Sequence, residues 1–211
     1  MNEKKEELFS RYPSLRCCED ALDKALSLMY RTYENGGVIY TCGNGGSCSD
    51  SDHIVGELMK GFLSRRPILP EEKAALSACF PNIPNIETKF QRAVPAVSLT
   101  AQSAILSAFA NDVDADFVYA QLVFGYAKPH DLLIGLSTSG NSKNVVYAVQ
   151  AAKVRGACTV AMTGEKESRL SALCDVTIRV PERETFKIQE LHLPVYHYLC
   201  AALEEKLFGK E

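Results

Sequence analysis

The side chains with most chemistry to offer fall in three short stretches of this 211-residue chain. In the first, Gly43-Asn44-Gly45-Gly46-Ser47 runs into a helical pattern that carries His53 and Glu57. These two stand at i and i+4, so they share one helix face and can converge on a ligand or a metal. In the second, Ser137, Thr138, Ser139 and Ser142 crowd around Gly140 and Asn141 ahead of another helical pattern. Backbone N–H groups, hydroxyls and the positive end of a helix together suit a single phosphate monoester. Capping that helix would need only one hydroxyl, so the cluster favours phosphate. The third stretch holds Gln189, His192 and His197 on the last helical pattern. His192 faces away from His197 and reads as structural.

Neither loop suits a nucleotide, and no nucleotide cofactor is expected. The first lacks the third glycine of a G-x-G-x-x-G turn. The second has the spacing of a P-loop, but Asn141 stands where that loop needs its lysine.

Elements that would position these residues follow from periodicity. Val38–Cys42, Ala96–Leu99, Asp131–Leu136, Cys158–Met162 and Val176–Val180 read as short buried strands. Helical patterns separate them: Ser47–Phe62 with Ser47 or Ser49 as N-cap, Gln102–Phe109, Phe117–Tyr126, Ser142–Arg155, and a long one over Thr185–Phe208. Asn111-Asp112 forms a polar turn between two of them. This alternation predicts an α/β fold: a doubly wound, mostly parallel five-stranded sheet with helices on both faces. Both polar loops then lie at C-terminal strand ends, where ligands bind on such sheets. An extra N-terminal helical segment, about 1–36, is expected to break near Pro13. Its stripe of Leu22, Leu26, Met29 and Tyr33 must pack on the sheet or on another subunit. Residues 63–95 hold five of the nine prolines and read as an insertion or lid, with short helices over 71–79 and 86–93. One domain spanning 1–211 accommodates all of this.

Composition narrows the partners. A net charge of -3 without a basic run argues against nucleic acid. The charged start lacks the apolar core of a signal peptide, and no run is apolar enough to span a membrane, so a cytoplasmic location is expected. The eight cysteines show no C-x-x-C pair and fit neither a zinc ribbon nor a disulfide framework. Cys42 and Cys48 flank the first loop and read as small buried residues.

The order of motifs resembles a known family. Gly43-Asn44-Gly45-Gly46-Ser47, His53 with Glu57, Asn111-Asp112, Ser137 to Ser142, and Gln189-Glu190-Leu191-His192 with His197 follow one another as in phosphoheptose isomerases. These are sugar isomerase (SIS) domain proteins that interconvert sedoheptulose 7-phosphate and a heptose 7-phosphate aldose, D-glycero-D-manno-heptose 7-phosphate. The resemblance implies aldose–ketose exchange through an enediol, which needs two acid/base groups over adjacent carbons. It assigns that work to Glu57 and His197. It also implies a zinc site at His53, Glu57, Gln189 and His197, whose nitrogen and oxygen donors suit zinc. By the same carry-over, Asn44, Gly45 and Gly46 approach the sugar, and Asn111 and Asp112 bind its hydroxyls. Glu57 and Gln189 would touch the substrate too, and Ser137, Thr138, Ser139 and Ser142 would take the phosphate. Gln189 and His197 stand roughly 80° and ~12 Å apart on a straight helix. One ion held by both therefore requires a kink at Pro194 or ligands from different subunits. The resemblance implies a homotetramer with active sites between subunits.

Two departures bear on substrate choice. Residues 63–95 exceed the corresponding link in typical members, and Phe186 stands where some members carry Asp. A competing reading is a non-catalytic SIS-domain regulator similar to the protein that associates with a bacterial replication initiator. That group lacks the acid at the Glu57 position and the imidazole at the His197 position, and both are present here.

Overall fold

The computed structural model describes residues 3–209. Strands β1 (Ile39–Cys42), β2 (Ala96–Ser98), β3 (Leu132–Leu136), β4 (Cys158–Thr163) and β5 (Val176–Arg179) form one sheet in the order β2-β1-β3-β4-β5. Every pairing is parallel. The intervening helices are α1 (Glu3–Arg11), α2 (Glu19–Glu34), α3 (Gly46–Met59), α4 (Pro70–Cys79) and α5 (Ser103–Phe109). Then come α6 (Val118–Tyr126), α7 (Lys143–Val154), α8 (Arg169–Leu173) and α9 (Thr185–Phe208).

Parallel strands covered on both faces need apolar side chains at odd and even positions alike. β3 supplies them: Leu132, Ile134 and Leu136 enter one core, and Leu133 enters the other. The first core lies under α1, α2, α3 and α9, the second under α6, α7 and α8. Leu22 and Met29 of α2 are buried in the first core, with Leu26 and Tyr33 packed against it, so the N-terminal segment covers its own sheet. The break near Pro13 is a 3-10 turn, Pro13–Cys18, between α1 and α2.

Three local details depart from the sequence reading. The N-cap of α3 is Gly45, not Ser47 or Ser49, and its φ of 58° is a conformation that side chains with a Cβ resist. The helix expected over 86–93 shrinks to a 3-10 turn, Ile86–Lys89, because Arg92 and Val94 donate their N–H groups to the carbonyls of Arg66 and Leu58 instead. Asn111 and Asp112 sit in a π-helical turn, Ala110–Asp114, continuous with α5.

The chain leaves β1 for β2 on one side and reaches β3 on the other. Loops after β1 and β3 therefore diverge at the switch in strand order, where an open α/β sheet has its crevice.

Candidate active site

The crevice holds a cavity of about 420 Å³. Asn44, Gly45 and Gly46 line it from the loop after β1, and Ser137, Thr138 and Ser142 from the loop after β3. Thr185 and Gln189, in the first turns of α9, close it. The loops are joined by a reciprocal amide pair: each of Asn44 and Asn144 donates its Nδ2 to the other's Oδ1 at 2.9 Å. Ser137 and Ser142 hydroxyls lie 2.9 Å apart, the latter at the N-cap of α7. Ser139 points elsewhere, and its hydroxyl accepts from the Asn141 N–H within the loop. Gly46 lies so close to the Gln189 amide that a Cβ there would collide with it. The result is a neutral pocket of hydroxyls and amides at a helix N-terminus, suited to an anion.

Titratable groups gather at the other end of α3. His53 Nε2 is 3.1 Å from Glu57 Oε1, and Lys60 donates to Glu57 Oε2 at 3.0 Å. The His197 ring, from α9, stands edge-on to His53 with centroids 5.0 Å apart. Burial, and next the neighbouring His53, pull the His197 pKa below its ordinary 6.5 against the opposing pull of Glu57. Its Nε2 is buried without a hydrogen-bond partner. Tyr196 donates to Asp50 Oδ1 at 3.2 Å and lies 2.9 Å from His53 Nδ1. Burial raises both the Asp50 carboxyl and the Tyr196 phenol, the latter helped by Asp50. A second cavity, about 360 Å³, opens beside His197 between α1, α9 and the loop after α3.

Two matches to the SIS domain family cover residues 14–92 and 106–202. A phosphoheptose isomerase of Nitratidesulfovibrio vulgaris is 37% identical over 92% of this chain and 78% of its own length. One from Aneurinibacillus thermoaerophilus is 33% identical over 97% and 88%. The structure of a phosphoheptose isomerase from Neisseria gonorrhoeae superposes with a TM-score of 0.72 at 29% identity, covering 94% of each chain. One from Francisella tularensis shares the fold with a TM-score of 0.76 at 24% identity, covering 95% and 94%. The chain belongs to the phosphoheptose isomerase family.

Within that family frame, two groups of site residues separate. Gln189 goes with the hydroxyl pocket, whereas His197 goes with His53 and Glu57. Asn111 and Asp112 enter neither cavity: they are exposed and bonded to each other at 2.8 Å. His192 is fully buried and hydrogen-bonded to the Thr163 carbonyl at 3.3 Å. Asn144, Thr185 and Tyr196 carry no local sequence signal, since each gains meaning only from a contact with a distant residue.

The fit to a metal can be tested on the donors themselves. His53 Nε2 and Glu57 Oε1 form a hydrogen-bonded pair, and His53 Nδ1 pairs with the Tyr196 hydroxyl. Nitrogen and oxygen donors of this kind, beside the unpartnered Nε2 of His197, are chemically suited to zinc. Yet among the described residues no group of three or more His, Cys, Asp and Glu side chains is placed to hold a metal ion. The donors fit zinc in kind, and the complete set is not assembled within one chain.

No helix among the described residues is long and apolar enough to cross a membrane.

Proposed function

We propose that the chain is an aldose–ketose phosphate isomerase that interconverts sedoheptulose 7-phosphate and D-glycero-D-manno-heptose 7-phosphate. One observation carries the reading: a neutral anion pocket lies at the N-terminal ends of α3 and α9, and a His–Glu–His cluster lies farther along the same two helices. The first is what a phosphate needs, the second what proton transfer needs. From ketose to aldose, a base takes a proton from C1 while the C2 oxygen gains one, giving the enediol. The proton then returns to C2 as the C1 oxygen gives up its own. Glu57, with one oxygen toward His53 and the other toward Lys60, is the carbon base of this proposal. His197, neutral near pH 7 because its pKa is lowered, shuttles the oxygen-bound proton. Ser137, Thr138 and Ser142 take the phosphate, and Asn44, Gly45, Gly46 and Gln189 orient the sugar.

The distance between the two ends shapes the rest of the proposal. Glu57 lies eleven residues beyond Gly46, ~16 Å along α3. An extended seven-carbon phosphate reaches roughly 10 Å at ordinary bond lengths. A complete site thus joins the pocket of one chain to the His–Glu–His cluster of another, in a homotetramer. Exposed Met59, Leu63, Phe186 and Leu193 beside these ends support such contacts. Asn111 and Asp112 would reach sugar hydroxyls in the same way. Zinc, held by His53, Glu57, His197 and Gln189, belongs to the proposal. When bound it would polarise the substrate oxygens as a Lewis acid. A single-domain cytoplasmic enzyme completes it.

The deciding experiment incubates purified protein with C5–C7 sugar phosphates, with and without a chelator, and follows ketose and aldose forms. Turnover of sedoheptulose 7-phosphate that falls with chelation and returns with zinc is expected. Binding without turnover on every substrate would hand the chain to the regulator reading. Light scattering should give the mass of four chains.

A further inference from the structure

The loop that leaves α3 is tied back to both helices of the His–Glu–His cluster by one buried ion pair. Arg66 has no exposed surface, and Glu204 is 2% exposed. Glu204 Oε1 accepts from Arg66 Nε at 2.8 Å and from the Phe62 N–H at 2.7 Å. Its Oε2 accepts from the N–H groups of Leu63 and Ser64 at 2.8 and 3.0 Å. The two Nη groups of Arg66 donate to the carbonyls of Leu58 and Glu57.

Those carbonyls belong to the last turn of α3, where a helix leaves acceptors unpaired and presents its negative end. A guanidinium is thus the cap of the turn that bears Glu57. Glu204, for its part, stands seven residues after His197 on α9, two turns along and on the same face. The pair connects the backbone under Glu57 to the helix that carries His197. Each nitrogen of the guanidinium and each oxygen of the carboxylate is engaged, so the connection admits one geometry. Apolar side chains could hold the loop as firmly, because desolvation offsets much of the attraction in a buried ion pair. What apolar packing would not supply is that single geometry.

We infer that Arg66 and Glu204 are positioning residues that fix the separation of Glu57 from His197. The inference rests on the reading of Glu57 and His197 as the acid/base pair. Neither Arg66 nor Glu204 meets the reacting atoms, and both act through the backbone of α3 and the axis of α9.

The test compares Arg66→Lys, Glu204→Gln and the double variant Arg66→Met/Glu204→Leu with wild type. Each single variant leaves a buried group unmatched and should lower Tm. The double variant removes both charges and should regain most of it. Turnover of sedoheptulose 7-phosphate and the 15N imidazole resonances of the four histidines are then read on folded protein. In the double variant kcat should stay at least ~10-fold below wild type with KM within ~3-fold, because small misplacements weigh on the chemical step. The resonances of His53 and His197 should move while those of His130 and His192 stay. A kcat that recovers with Tm, or unmoved His53 and His197 resonances, would overturn the inference. Should the double variant not fold, Glu204→Gln well below its Tm gives the same readings. Wild type that turns over no sugar phosphate would sink the isomerase reading, while the imidazole resonances would still decide whether the pair sets this geometry.

Discussion

The start of α3 and α9 and the stretch farther along the same helices are built from opposite materials. At the N-terminal end, Gly45, Gly46, Ser137, Ser142 and Gln189 offer hydroxyls, amides and N–H groups, and no charged side chain lines the cavity. Farther along, His53 and Lys60 each meet Glu57, the His197 ring stands edge-on to His53, and buried polar atoms of Asp50 and His197 lack partners. A site whose polar atoms satisfy each other can wait for an anion at little cost. A site with titratable groups in contact and unmet hydrogen bonds is poised to move protons. Binding and chemistry are therefore separable by substitution.

The sharpest separation should come from Glu57→Gln, which keeps the shape of the side chain and removes the carboxylate proposed as the base. kcat should fall between ~10² and ~10⁴-fold with little change in KM, measured on sedoheptulose 7-phosphate. A loss confined to KM would merge the two ends into one binding surface. Next in size is an effect that belongs to neither end. His192, between Gln189 and His197 on α9, has its pKa pushed down to about 4 by burial. Unfolded, it titrates near 6.5, so between those values the unfolded chain binds the extra proton and stability falls as pH falls. The contribution is complete above pH 6.5 and declines by on the order of 3 kcal/mol toward pH 4. His192→Gln should flatten the slope of Tm against pH in that window, and an unchanged slope would remove His192 as its source.

Smaller effects should come from the pocket. Ser142→Ala removes one hydroxyl from a charged ligand and should raise KM roughly 10-fold with kcat nearly constant. Asn144→Ala, which breaks the amide pair without touching the ligand, should raise KM about 5-fold. If either change lowers kcat as far as Glu57→Gln does, the contrast between the ends is lost.

Much of this architecture was legible in the chain. The five strands, the placement of both loops at strand ends and the span of α9 follow from apolar runs and their breaks, which are local signals. His53 and Glu57 were legible because four residues on a helix is also local. What could not be read depends on pairs far apart in sequence. Asn44 meets Asn144, His53 meets Tyr196, and Arg66 meets Glu204 only after the sheet has formed. Arg66 illustrates the problem well: a second arginine in a proline-flanked loop looks solvated, yet it is wholly buried. The fate of residues 86–93 was hidden for the same reason, since Arg66 and Leu58 supplied the acceptors that drew the backbone out of a helix.

The amide pair between Asn44 and Asn144 has one more consequence. Because each side chain both gives and receives, the two loops interlock like a dovetail joint. A joint that fixes the two loops would hold the proposed phosphate pocket at one size whatever the length of the sugar. Discrimination between sugars of different length must then fall to the far end and to residues 63–95.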